Sequence, residues 1–190
     1  MIELDAVYKI RQTHPWPCRP MSFQCESGDH VWLSGPNGCG KTTLLEIIIG
    51  KLSHEGQCRR NFKDSLYIPS VFCFKSVQRV DECLSWLKCL YLSSDSIKDV
   101  ADRWGIHHCF RLNVSQLSRG QQQRLMLSQL SFSSHKLWVL DEPSLGLDGV
   151  GIKLLADAVK DHINQQGCVI EAGHLWPYPW HANAVVEVPH

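Results

Sequence analysis

Four sets of residues in this chain have the types and spacing that phosphate chemistry needs. The first is Gly35, Pro36, Asn37, Gly38, Cys39, Gly40, Lys41 and Thr42, followed by Thr43, which fits G-x-x-x-x-G-K-[ST] in full. Glycines let successive backbone N–H groups converge on phosphate oxygens. A helix starting there adds the positive end of its dipole. Lys41 is placed to reach the outer phosphates, and Thr42 offers a hydroxyl to Mg²⁺. The second set is Leu117, Ser118, Arg119, Gly120 and Gln121, where a hydroxyl, a glycine and an amide precede an apolar helix. It reads as a second anion-binding helix start or as an ordinary serine cap. The third is Asp141-Glu142 at the end of the apolar run Leu137-Trp-Val-Leu. Asp141 there can hold Mg²⁺, and Glu142 can polarise an attacking water. The fourth comprises Asp148, in Ser144-Leu-Gly-Leu-Asp, and His174, which follows the apolar run from Cys168.

These groups can meet only if strands deliver them to one sheet edge. Apolar His30–Ser34 feeds the glycine loop, and a helix runs from Lys41 to a glycine stop near Gly50. Strands are expected at Ile2–Tyr8, Met21–Cys25, Gly56–Arg60, Ser65–Pro69, Leu137–Leu140, Cys168–Ala172 and Ala184–Val188. The proline-rich stretch 13–20 reads as loop. Helical spacing covers Arg79 to about Gly105, then Gln121–Phe132 and Val150–Asn164. Strands alternating with helices predict an α/β fold with a mainly parallel sheet, carrying ligands at the C-terminal ends of its strands. A single triphosphate needs only one anion device. The two either converge within the chain, or the second serves a nucleotide held by another chain.

Composition sets bounds on the class. The 190 residues suffice for one domain with a sizeable core. Lys plus Arg and Asp plus Glu are 19 each, so the basic excess of a dedicated nucleic-acid surface is missing. Nine cysteines, an odd number with one inside the glycine loop, point to a reducing compartment. His107-His108-Cys109 lacks the matching pair of a metal site. No stretch approaches the ~20 apolar residues of a membrane span. The N-terminus has neither signal-peptide nor transit-peptide character. Work at a membrane would require another subunit as anchor.

Taken together and in order, the phosphate loop, Leu117-Ser-Arg-Gly-Gln121, Asp141-Glu142, the Asp148 loop and His174 resemble an ABC-type ATPase subunit over nearly the whole length. The resemblance implies one ATPase domain over residues 1–190, with an antiparallel β portion and a helical insert at about 76–116. It implies ATP and Mg²⁺ as ligands, with Thr42 and Asp141 at the metal, Glu142 as general base and His174 on the γ-phosphate. It also implies a head-to-tail homodimer in which the signature of one copy completes the phosphate loop of the other. Tyr8 or Trp16 would stack on adenine.

The wording of 117–125, 137–148 and 166–175 resembles ATPase subunits of cytochrome c maturation haem-exporter complexes. This implies integral membrane subunits as partners, docked on the helical insert, with haem or its chaperone touched only indirectly. The location implied is the cytosolic or matrix face of a bacterial or mitochondrial inner membrane. Another small exporter, or an ATP switch acting on a soluble partner, are the alternatives.

Several positions depart from the family pattern. Ser70 or Val71 stands where a glutamine usually couples Mg²⁺ to the membrane partner, and Gln78 lies too far along. Arg119 replaces a small residue. Gly173 and Glu171, the latter interrupting an apolar strand, read as drift, with Glu171 on an exposed sheet edge. Trp176-Pro-Tyr-Pro-Trp180 reads as a rigid cover for the sheet end or a partner contact.

Overall fold

The computed structural model describes residues 1–11, 14–60, 65–174 and 176–188, and their side chains except at 9–19. The chain divides into two compact units: 1–67 with 135–142 and 161–190, and 68–134 with 143–160.

Two sheets build the first unit. β1 (Ile2–Arg11), β2 (His14–Cys25) and β4 (Glu55–Arg60) form an antiparallel sheet in the order β2-β1-β4. The expected loop at 13–20 is corrected over 14–20, residue 13 lying outside the described residues. From His14 the chain is already strand, paired against Lys9–Arg11. β2 lies at the sheet edge, where proline's missing N–H costs no ladder bond.

The second sheet has the order β5-β6-β7-β3-β8, with β3 at His30–Ser34, β5 at Ser65–Ile68, β6 at Leu137–Asp141, β7 at Cys168–Ala172 and β8 at Ala184–Glu187. β6, β7, β3 and β8 run parallel. β6 and β7 are buried along their whole length, which is why they read as continuous apolar runs and not as alternations. One face of this sheet, through Val31, Leu33, Val139 and Ile170, joins Ile2, Leu4 and the apolar side of helix α1 (Lys41–Ile48) in one core. Gly50, at φ +81°, ends that helix in the left-handed conformation expected of a glycine stop.

Glu171 lies on β7, with β6 and β3 on either side. Its side chain is fully buried, so it is on no exposed edge. What surrounds it is described below.

The second unit is helical: α2 (Val80–Leu90), α3 (Ile97–Arg103), α4 (Arg119–Leu127), α5 (Gln129–Phe132) and most of α6 (Gly149–Asn164). Val80, Cys83, Leu84 and Leu87 form the buried stripe of α2, and Trp104 is buried after α3 with its indole N–H donated to Ser131 Oγ at 3.0 Å. Two short 3₁₀ turns at His107–Cys109 and Val114–Gln116 lead into α4. No helix among the described residues is long and apolar enough to cross a membrane.

Candidate functional site

Within the first unit, β3, β6 and β7 end at one edge of the sheet. The loop leaving β3 holds Gly35, Gly38 and Gly40 at φ +150°, +80° and +98°. Gly35 is obligatory for two reasons. Its φ disfavours other residues, and an added Cβ would lie 2.7 Å from Cys39 Sγ and 2.8 Å from the Val188 carbonyl oxygen. Cys39 therefore points inward and is buried beneath the loop. Gly40 caps α1, so the free N–H groups of the first turn open at the loop. Lys41 Nζ lies against the loop, donating to the Gly35 and Pro36 carbonyls at 2.8 and 3.1 Å, which leaves one of its three protons for a further acceptor.

Thr42 Oγ1 donates to Asp141 Oδ2 at 2.7 Å, joining the start of α1 to the end of β6. Asp141 is almost fully buried. A hydroxyl and a carboxylate held together are hard oxygen donors of the kind Mg²⁺ takes, so the pair fits that ion. Beside it, burial and then the Asp141 carboxylate push the Tyr67 phenol well above its usual range.

Glu142 follows at φ +50°, a conformation that costs a non-glycine residue about 1–2 kcal/mol. The break is bridged at once, because the Glu142 N–H donates to the Ala172 carbonyl at 2.8 Å, continuing the β6–β7 pairing by one residue. This kinked step turns the carboxylate toward the end of β7, where His174 Nε2 stands 3.3 Å from Glu142 Oε1. The two residues, 32 positions apart in sequence, are thus one pair at the loop edge.

The second unit brings together the other motifs. Ser118 is the N-cap of α4, its hydroxyl accepting from the Gln121 N–H at 3.2 Å while Gln121 Oε1 accepts from the Ser118 N–H at 2.9 Å. Asp148 caps α6 by accepting from the Gly151 N–H at 2.8 Å, and also pairs with Arg124. That N–H first, and then the Arg124 guanidinium, hold its carboxyl below the usual range. Ser118, Gly120, Gln121, Arg124, Gly146 and Asp148 line a concavity of about 280 Å³. A side chain at Gly120 would meet the Gly146 carbonyl at 3.1 Å, so the glycine keeps this wall thin. Leu117 is buried behind it and Arg119 is exposed.

Not every candidate joins these groups. Ser70 and Val71 are exposed, and Gln78 Oε1 accepts from the Lys75 N–H within its own loop. Tyr8 is half-buried on β1, and the Trp16 side chain lies outside the described residues. No group of three or more metal-binding side chains occurs among the described residues, His107-His108-Cys109 included. His107 instead pairs with Asp102 at 2.8 Å. Arg124, which fixes Asp148, was not among the expected site residues. Its position one helical turn after Gly120 was the available signal.

A glycine loop at the end of a parallel strand, opening into a helix and faced by a strand-end carboxylate, defines a P-loop nucleotide-binding domain. Residues 18–145 match the ABC transporter family model. Among similar proteins are two cytochrome c biogenesis ATP-binding export proteins CcmA. One, from Reclinomonas americana, is 34% identical, over 81% of this chain and 76% of its own length. The other, from Aliivibrio fischeri, is 33% identical, over 81% and 82%. In fold, the chain is similar to a solved ABC transporter ATP-binding protein from Pyrococcus furiosus, with a TM-score of 0.82 at 20% identity over 98% of this chain and 96% of that one. The chain belongs to the ABC transporter family, in the branch of the cytochrome c biogenesis ATP-binding export proteins. As such it binds ATP and hydrolyses it as a transporter ATPase.

Proposed function

We propose that the chain drives a membrane exporter of cytochrome c maturation, releasing haem or a haem-loaded chaperone from integral membrane subunits, with haem not touching this subunit. The observation that carries the chemistry is the Glu142–His174 pair beside the Thr42–Asp141 pair, all on the edge that holds the phosphate loop. Residues 35–43 bind the phosphates, with Lys41 donating to the outer ones. Thr42 and Asp141 hold Mg²⁺, which when bound neutralises charge on the phosphate oxygens. Glu142 accepts a proton from the attacking water. His174 donates to the γ-phosphate and keeps the Glu142 carboxylate turned to the water. The water's oxygen bonds to the γ-phosphorus as the bridging bond to ADP breaks.

The second concavity, with Leu117–Gln121 and Asp148, takes the ATP held by another copy of the chain in a head-to-tail homodimer. A single triphosphate needs only one such device, and the presence of a second supports this reading. The insert at 76–116 is the docking element for the membrane subunits. In support, Phe74, Trp86, Leu87 and Leu90 line a groove of about 370 Å³, and Trp86 and Leu90 are each more than half exposed. Val80, Cys83 and Leu84 are packed inward, so a partner would meet α2 at Trp86 and Leu90. On this reading the protein sits peripherally on the cytosolic or matrix face of its membrane.

The test is ATP turnover of Glu142→Gln in the assembled complex. A loss of about 10²–10⁴-fold is expected for removing a general base, with nucleotide binding retained. Unchanged turnover would sink the proposal.

A further inference from the structure

His174 is the residue of the proposed pair with the least support from its own strand. β7 stops at Ala172, and His174 stands two residues beyond it. What holds it there is a buried cluster made of neighbours that the ATPase motifs do not include.

Glu171 is fully buried. Its Oε2 accepts from the Tyr178 hydroxyl at 2.6 Å and meets His30 Nε2 at 3.2 Å. His30 is as buried as Glu171 and starts β3, the strand that feeds the phosphate loop. The register explains the meeting. Trp32 pairs with Glu171 and His30 with Val169, so His30, Trp32 and Glu171 share one face. Residues 176–180 fold onto that face. Trp176 packs against His30 at 4.8 Å and edge-on against Trp32 at 5.1 Å. Tyr178 stacks on Trp180 at 4.8 Å, and the Trp176 indole N–H donates to the Trp180 carbonyl. Before His174, Gly173 presses on the Trp32 ring so closely that an added Cβ would lie 2.3 Å from it. His174 is therefore held on both sides by one aromatic and carboxylate cluster, with Gly173 before it and Trp176 and Tyr178 after it.

The geometry points to Glu171 and Tyr178 as positioning residues for His174, acting with His30 and Trp32 to keep the imidazole against Glu142. Even with Tyr178 and His30 as partners, a buried carboxylate is weak support for stability compared with an apolar residue of similar size. As the acceptor that ties residue 178 back to the strand before His174, it has a use. Burial together with this carboxylate pushes the Tyr178 phenol up, so the hydroxyl keeps its proton and the tie stays made. This inference rests on the proposed role of His174 in hydrolysis.

The test is a cycle of Tyr178→Phe and His174→Ala, read by turnover and ATP KM in the assembled complex. Tyr178→Phe keeps the ring and removes only the donor. A drop in kcat of about 10- to 100-fold with KM unchanged is expected, the scale of a small misplacement of a reacting group. In the His174→Ala background the same change has no further effect, because the residue it positions is gone. A wild-type kcat for Tyr178→Phe overturns the inference, as do losses that multiply in the double variant. If His174→Ala alone keeps full turnover, the proposed hydrolysis role fails first, which is a distinct result. Amide exchange gives a readout independent of activity. Protection across 172–178 falls in Tyr178→Phe and in the shape-conserving Glu171→Gln, while protection in α1 stays. Unchanged protection in both variants overturns the inference.

Discussion

A single missing methyl group governs the approach to His174. Gly173 is buried against Trp32, and a side chain at this position has no room. The absence of a side chain is thus a packing requirement, where the sequence alone suggested drift. Gly173→Ala must displace Trp32 or the strand end. An overpacking cost of about 1–3 kcal/mol is expected, lowering Tm by about 2–4 °C per kcal/mol. Turnover should fall by more than that stability loss explains. Thermal unfolding and ATPase rate measured on one preparation check both parts, and a variant with unchanged Tm and rate refutes the packing argument. Glu171 teaches the same lesson. In a fully buried strand a carboxylate signals a partner, and the partners Tyr178 and His30 lie 7 residues later and 141 earlier, beyond any local pattern.

At the scale of elements, α4 carries two demands on one residue. Ser118 caps the helix through the Gln121 N–H, and its hydroxyl also lines the second concavity. Ser118→Ala should cost about 1 kcal/mol through the cap. Ser118→Asp keeps a capping acceptor but places a negative charge where phosphate is proposed to bind. The expected outcome is that Asp restores Tm and leaves turnover as low as Ala does. Activity that tracks Tm across the three proteins would reduce Ser118 to a cap.

Most elements were legible because their signals are local. The glycine loop, the helix after it and the apolar β6 and β7 stand where period and punctuation place them. The first half of β2 was not, since its prolines break the usual strand pattern and only the edge position makes them harmless. The direct pairing of Glu142 with His174 is not legible in the sequence, because it depends on parallel register and on a left-handed residue that composition does not announce.

For the molecule as a whole, acid should be a specific weakness of the first unit. His162 stacks on Trp138 at 3.7 Å, nearly parallel, and burial above all lowers its pKa to about 4. In the unfolded chain the ring titrates near 6.5. Its folded pKa is depressed, so its contribution is complete above pH 6.5 and is lost as pH falls toward 4. Discounted for solvent screening of this part-exposed ring, the loss is on the order of 1–2 kcal/mol. Denaturant unfolding from pH 7.5 to 4.5 should show it, and His162→Phe, which keeps the stack, should flatten that part of the curve. An identical acid slope in the variant would assign the loss to other groups.

The inward turn of Cys39 has one more consequence. Its thiol lies under the loop, sealed by Gly35 and Val188 and shut off from solvent. A thiol reagent reaches it only when the loop lifts away from the core, so its alkylation is a clock set by that opening and not by collision with the reagent. Whatever clamps the loop slows the clock. The nucleotide site therefore carries its own timer, one that reports how often an ATP-gripping loop lets go.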